Sequence, residues 1–325
     1  MPVRLLLVPA GLILARLLLA AAAAFAASGE TPAVPEPLQE FKEGQIWESR
    51  SRQVVTLEEL TAEMASRRVI YLGEEHHNHS HVESALTVLR ALLGQGRRPI
   101  LALEMFGWDG QAGLDRYLAG QHGTTERFLE DARWEQNWGG AFADYEPLLA
   151  FARTHSLPLL ALNPPRPLVR LVAKQGLHTS LEDPAMAEWG MKDEHYPEDA
   201  PYQEMITGPL RQCHGGLSGQ DYQRMYEASL FRDEGMAKMI VDTLRRTGSD
   251  GLIVSYTGGG HIQYQLPVPN RVRRRAGTAM QMTIYLTAFE PGRTEEIRAL
   301  LTDKIADYVW LTSFSANGAP RRCPS

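Results

Sequence analysis

Short apolar runs alternate with longer stretches in which apolar residues return every three or four positions, and this rhythm governs the chain from Val54 onward. Val69–Leu72, Pro99–Phe106, Pro158–Asn163 and Leu252–Tyr256 are almost continuously apolar and of strand length, as expected of strands buried on both faces. Between them, Leu57–Met64, Val82–Leu93, Gln111–Leu118, Thr125–Asp131, Tyr145–His155, Pro167–Lys174 and Tyr222–Arg246 have helical spacing. Thr56 with Glu59 three residues on reads as a capping box for the first of these helices. Met282–Glu290 alternates as a further strand, and Ala306–Thr312 reads as an edge strand. Strands alternating with helices predict an α/β fold, a mostly parallel central sheet flanked by helices. The rhythm fails from Leu177 to Gln220, so residues 177–220 are expected to form a small, mainly helical insertion over the sheet edge. Residues 54–312 thus form a single domain. Residues 27–53, with Pro32, Pro35 and Pro37 among acidic residues, read as an extended lead-in, and residues 313–325 as a loose tail.

The amino terminus follows another pattern. Arg4 precedes the apolar run Leu5–Leu19, and an alanine run ends in Ala24-Phe25-Ala26, an Ala-x-Ala processing signal. Residues 1–26 are therefore expected to be a signal peptide, with a cut after Ser28 as the alternative. The product would be soluble and exported, periplasmic or secreted. The formal net charge of −6 becomes −8 once Arg4 and Arg16 are removed, a balance that argues against nucleic acid as a partner. With 325 residues, 44% of them hydrophobic, the chain can bury one sizeable core. Its two cysteines, Cys213 and Cys323, exclude Cys-rich zinc and iron–sulfur frameworks, and their spacing does not say whether they pair.

Four of the ten histidines, His76, His77, His79 and His81, fall within six residues at the exit of the first buried strand. Open α/β sheets place ligands at that carboxyl edge. Gly73-x-x-His76 has a counterpart in Gly258-x-x-His261 at the exit of the fourth strand, and Glu104 ends the second. Imidazole plus carboxylate is the ligand set of divalent metal sites with an open position for water. It also serves acid–base chemistry, so His76, Glu104 and His261 are candidate metal ligands and, with Glu74, candidate catalytic residues. Blander readings stand beside these. The histidine turn could cap a helix, Glu104 could pair with a buried arginine, and Trp134 and Trp138 could be packing anchors. Arg232 and Asp233 read as a contribution to structural ion pairing and Arg271–Arg275 as a solvated loop. No Gly-x-Ser-x-Gly elbow is present to support a serine hydrolase.

Gly73-Glu74-x-His76, Leu103-Glu104-Met105-Phe106, Trp134-x-x-x-Trp138, Tyr145-x-Pro147-Leu148, Phe151-Ala152-Arg153, Leu160-Ala161-Leu162-Asn163 and Arg232-Asp233-x-x-Met236-Ala237 occur in this order. Together, from about Val69 to Pro269, they resemble the ChaN family of bacterial haem-binding proteins, within the Tiki and erythromycin-esterase superfamily. The resemblance implies haem as cofactor and partner in iron uptake outside the cytoplasm, with a homodimer and membrane-associated uptake machinery as further partners. It implies as alternative a metal-dependent hydrolase, a Tiki-like peptidase or esterase, using the two Gly-x-x-His turns and Glu104 with zinc, manganese or cobalt. The chain lacks the cysteine that anchors lipoprotein relatives. Haem needs an axial donor, an apolar slot and cations for its propionates. Tyr196 and Tyr202 in the insertion, with Tyr222 and Tyr226, are the candidate donors; His195 and His214 could ligate iron or meet a propionate, and Lys192 could neutralise one. On this reading, replacing His76 leaves haem binding intact.

Overall fold

The computed structural model describes residues 40–213, 216–277 and 280–314. The signal segment, most of the lead-in, His214, Cys323 and the end of the tail lie outside the described residues, as does the side chain of Cys213. Among the described residues no helix is long and apolar enough to cross a membrane.

Eight strands build one sheet: β1 (Ile46–Glu48), β2 (Gln53–Val55), β3 (Val69–Glu74), β4 (Ile100–Gly107), β5 (Leu159–Asn163), β6 (Ile253–Gly258), β7 (Gln281–Ala288) and β8 (Tyr308–Thr312), in the order β2-β1-β8-β7-β3-β6-β4-β5. From β8 to β5 all pairings are parallel, and only β1 and β2 add antiparallel pairs. The helices, in chain order, are α1 (Leu57–Met64), α2 (His79–Gly94), α3 (Gln111–Leu118), α4 (Thr125–Asp131), α5 (Trp134–Asn137), α6 (Glu146–Thr154), α7 (Arg166–Gln175), α8 (Leu177–Ser180), α9 (Pro184–Glu188), α10 (Ala200–Cys213), α11 (Gly219–Thr247), α12 (Val268–Ala276) and α13 (Thr294–Thr302). The fold is thus the expected α/β arrangement of a mostly parallel sheet with flanking helices. The Thr56–Glu59 capping box is present at α1.

Every residue of β3 and β6 is buried, as their apolar runs require of a sheet covered on both faces. Ile70 and Leu72 of β3 share the largest core cluster with Val82, Ala85, Leu86, Val88, Leu89 and Leu92 of α2. The insertion, comprising α8, α9 and α10, packs on α7 and α11 through Met186 and Met191 against Phe231, and through Tyr202 against Tyr226 and Leu230.

Three expectations are corrected. β8 is not an edge strand, because β1 pairs with it on its outer side, Trp47 opposite Val309. Residues 46–53, expected in the lead-in, therefore belong with the sheet; two three-residue strands joined by polar turn residues carry too little periodicity to be seen. Arg271–Arg275 is helix α12, not a solvated loop. Arg271 is 1% exposed, and Arg271, Arg274 and Arg275 converge on the buried carboxylate of Glu234 in α11 at 3.2, 2.5 and 2.6 Å.

β3 lies between β6 and β7, with later strands added on either side of it, so the chain reverses its winding there. Such a switch point leaves a crevice at the carboxyl edge. Gly73 lets that edge close: a Cβ there would stand 2.5 Å from Cδ1 of Ile262 and 3.0 Å from Cα of Gly259. Gly73→Ala is therefore expected to cost about 1–3 kcal/mol through overpacking, read as a lower urea midpoint at unchanged slope.

Candidate functional site

The carboxyl ends of β3, β6 and β4, adjacent in the sheet, carry the candidate residues into one place. Glu74 ends β3 opposite Gly258, and His76 follows two residues later with its imidazole against Gly258. A Cβ at Gly258 would lie 2.7 Å from Cε1 of His76, so the ring occupies space that only glycine leaves open. Glu104 sits where the β4–β5 register shifts between Leu103 and Gly107. Irregularities of this kind re-aim side chains beside active sites. Asn163 closes the broken ladder by donating its side-chain N–H to the Glu104 carbonyl at 2.6 Å.

Glu104 is 0% exposed. One carboxylate oxygen accepts from the Arg232 guanidinium and lies 3.3 Å from Nε2 of His261, and the other accepts the Gly258 N–H at 2.5 Å. Burial alone would raise its pKa, but the charges of His261 and Arg232 hold it well below the carboxylate range. His261 in turn donates from Nδ1 to Asp233 at 2.5 Å, whose other oxygen accepts the Tyr202 hydroxyl at 2.5 Å. Burial disfavours the imidazolium, yet Glu104 and Asp233 together raise His261 to about 9. The guanidinium of Arg271 lies 4.1 Å over the Tyr202 ring, which joins this chain of contacts to the arginine cluster on Glu234.

The second histidine is built the same way. His76 donates from Nδ1 to Glu74 at 2.8 Å, and the buried Glu74 also accepts the hydroxyls of Tyr145 at 3.0 Å and Tyr256 at 2.7 Å. Burial raises the Glu74 pKa, while for His76 the burial effect is outweighed by the Glu74 hydrogen bond and the charge of Glu104, so its pKa is raised too. A carboxylate on Nδ1 fixes the tautomer and leaves Nε2 for other work. The next residue repeats the device: His77, held at φ 63° in the left-handed region, has Nδ1 2.7 Å from Asp144. His76 and His77 both line a cleft of about 410 Å³ whose walls include Trp138, Pro164, Val169, Arg166 and Arg232. Trp138 meets the His76 ring edge-on at 4.9 Å.

The residues expected from sequence fall into three groups. Glu74, His76, Glu104 and His261 do come together. They do not form the expected metal centre: the Glu104 oxygens are engaged by Arg232, His261 and the Gly258 N–H, and among the described residues no group of three or more His, Cys, Asp or Glu is placed to hold an ion. Of the insertion residues, Tyr202 is buried with its hydroxyl on Asp233, so it faces the site from behind rather than a ligand. Tyr196 donates to the Met191 carbonyl at 2.9 Å and stacks on Phe231, and burial pushes its pKa up, away from a tyrosinate. Lys192 pairs with Glu182 at 3.2 Å, and His195 is exposed. Of the other histidines in the turn, His79 reaches Asp144, while His81 is buried, accepts the Glu75 N–H and is lowered to about 3 by burial. Arg232 and Asp233, expected to contribute structural ion pairs, do so with Glu104 and His261. Tyr145, Tyr256 and Arg166 were not anticipated. Tyr256, beside the second glycine turn, and Tyr145, inside one of the recurring motifs, carried the only signal.

A family model described as haem-binding uptake, Tiki superfamily, ChaN matches residues 60–272. Among curated proteins the chain is similar to RETICULATA-RELATED 5, chloroplastic, from Arabidopsis thaliana, 24% identical over 278 residues. That match takes in 80% of this chain but only 36% of the plant protein, so the chain spans about a third of that relative. Among solved structures it is similar in fold to ChaN of Campylobacter jejuni, described as binding haem cofacially, at 18% identity and a TM-score of 0.64, covering 84% of this chain and 98% of that one.

The raised pKa of His261 has a sign that can be measured. Its contribution to stability is fully present below its ordinary pKa near 6.5 and is lost as pH rises through about 9. The loss amounts to about 3 kcal/mol at most. Urea midpoints taken between pH 6 and 10 are expected to fall more steeply for the wild type than for His261→Gln. Equal slopes would mean that His261 is not held protonated.

Proposed function

Because the chain belongs to the ChaN family of haem-binding uptake proteins of the Tiki superfamily, we propose that it binds haem outside the cytoplasm and serves haem or iron acquisition. The observation that carries this reading to particular residues is the pair His76 and His77. Both line one cleft, both have Nδ1 tied to a carboxylate, and both keep Nε2 for a ligand. Carboxylate–imidazole pairing is what orients a histidine that ligates a metal. Trp138, Pro164 and Val169 supply apolar wall, and Arg166 and Arg232 supply cations. Bound iron porphyrin would bring the redox-active iron, and the chain's own residues would orient it and limit water's access. This moves the candidate axial donor from the insertion tyrosines, whose hydroxyls are spent, to the histidine turn. Export rests on the amino-terminal Ala-x-Ala signal, and amino-terminal sequencing of the mature protein is expected to begin at Ala27.

A second reading is favoured by the paired dyads. His76, oriented by Glu74, is placed to take a proton from water. His261, protonated near neutral pH but with both nitrogens turned to Asp233 and Glu104, would add positive charge behind Arg232 to stabilise a developing anion. This is general-base hydrolysis by the chain's own residues.

Haemin titrated into the purified protein is expected to give a saturable endpoint with the absorption bands of a histidine-ligated ferric haem. His76→Ala or His77→Ala is expected to weaken binding about tenfold or more and alter those bands, since one donor is worth a few kcal/mol, whereas Tyr196→Phe leaves both unchanged. The opposite pattern, with histidines dispensable and Tyr196 essential, would return the ligand to the insertion.

A further inference from the structure

The charges around the cleft do not balance. Each carboxylate buried behind its lining residues is matched: Glu104 by Arg232 and His261, Glu74 by His76, and Asp233 by His261. Arg166 is different. Its backbone N–H donates to the Asn137 side chain at 3.0 Å, and its Nη1 meets only carbonyls, those of Asn137 and Trp138 at 3.4 and 3.1 Å. Among the described residues no carboxylate is within ion-pair reach of it. Burial and the like charges of Arg170 and Arg232 both lower its pKa. Arg232 itself uses Nη2 on Glu104 and Nε on Asn163, which leaves Nη1. Two guanidinium groups thus line one cleft, repel each other and keep unspent donors beside an indole wall. An anion between them would remove the repulsion. A carboxylate matches the guanidinium fork better than a spherical anion, because the two N–H bonds are parallel and coplanar.

We infer that Arg166, with Arg232, forms a carboxylate-recognition subsite for a ligand whose flat or apolar body lies against Trp138 and Val169. Arg166 is the selecting residue, because Arg232 is already committed to Glu104 and cannot leave it without stranding a buried charge. On the haem reading, the carboxylate is a porphyrin propionate, which the sequence had assigned to Lys192. On the hydrolytic reading, it is the acid group of a substrate. The subsite itself depends on neither.

Two ligand pairs separate these sources. Ferric haemin is compared with its dimethyl ester, in which both propionates are uncharged, by absorption titration. Phenylpropionate is compared with its methyl ester by the shift of the Trp138 indole resonance, assigned with Trp138→Phe. Wild-type protein is expected to prefer the acid over the ester by about tenfold to a hundredfold in at least one pair, the worth of a charge-assisted hydrogen bond. Arg166→Gln is expected to erase that preference and Arg166→Lys to keep part of it, with circular dichroism confirming that both variants are folded. Acid preference with phenylpropionate but no haemin binding would leave the subsite standing and remove the haem reading. Haemin and its ester binding equally well, with no phenylpropionate preference, would overturn the subsite while the haem reading stands. A preference that survives in Arg166→Gln would overturn it as well, and no binding in any arm would remove both.

Discussion

A carboxylate with no access to water is the constraint around which this molecule is organised. Desolvating Glu104 costs several kcal/mol unless neighbours replace the lost hydration, and the replacements come from different parts of the chain. Arg232 reaches it from α11, the Gly258 N–H and His261 from β6 and its exit turn, and Asn163 secures the backbone at the same residue from β5. Each of these groups is thereby held to a position that its own element would not specify. The bulge in β4 makes this possible, since a regular strand would have continued its ladder with β5 through Glu104. Once Glu104 is charged and buried, the spacing of three strand ends and one long helix follows.

The demand then passes outward. His261 can offset Glu104 only if it stays protonated, and Asp233 supports that. Asp233 is itself buried and is satisfied by the Tyr202 hydroxyl, whose ring lies under Arg271, which is held by Glu234. The sequence of partners runs from the sheet edge through α11 into the insertion and on to α12, alternating in charge. The insertion is thus not only a cover. Through Tyr202 it completes the electrostatics of a residue far away in sequence, which explains why an aromatic hydroxyl that reads as a surface ligand is buried.

The parallel strands, the first capping box and the meeting of Glu74, His76, Glu104 and His261 were legible in the sequence, because continuous apolar runs and glycine–histidine turns are local signals. What stayed hidden depends on partners distant in the chain. Arg271–Arg275 looks solvated until Glu234 is known to be buried opposite it. Arg232 and Asp233, adjacent in sequence, point to different partners because successive residues on a helix diverge by about 100°, and neither partner, Glu104 nor His261, can be named from the local sequence. β1 and β2 are too short to show a period. The resemblance to haem-binding proteins suggests a tyrosine for iron, but a hydroxyl's availability depends on its hydrogen bonds, and Tyr196 and Tyr202 have both spent theirs.

The haem and hydrolytic readings draw on one property, which is why the residues alone suit both. Tying Nδ1 of a histidine to a buried carboxylate fixes the ring and makes Nε2 more basic, and a basic, oriented Nε2 serves equally to hold iron or to take a proton from water. What differs between the uses is the room in front of it. His76 faces both ways: toward Gly258 and the charged floor, where a small molecule could be attacked, and toward Trp138 and the open cleft, where a flat ligand could lie. His77 faces only the cleft side, beside Gly140, and has no acid–base partner on the floor. A second anchored imidazole there adds nothing to hydrolysis but adds a donor for a metalloporphyrin, and this asymmetry weighs the site toward binding haem.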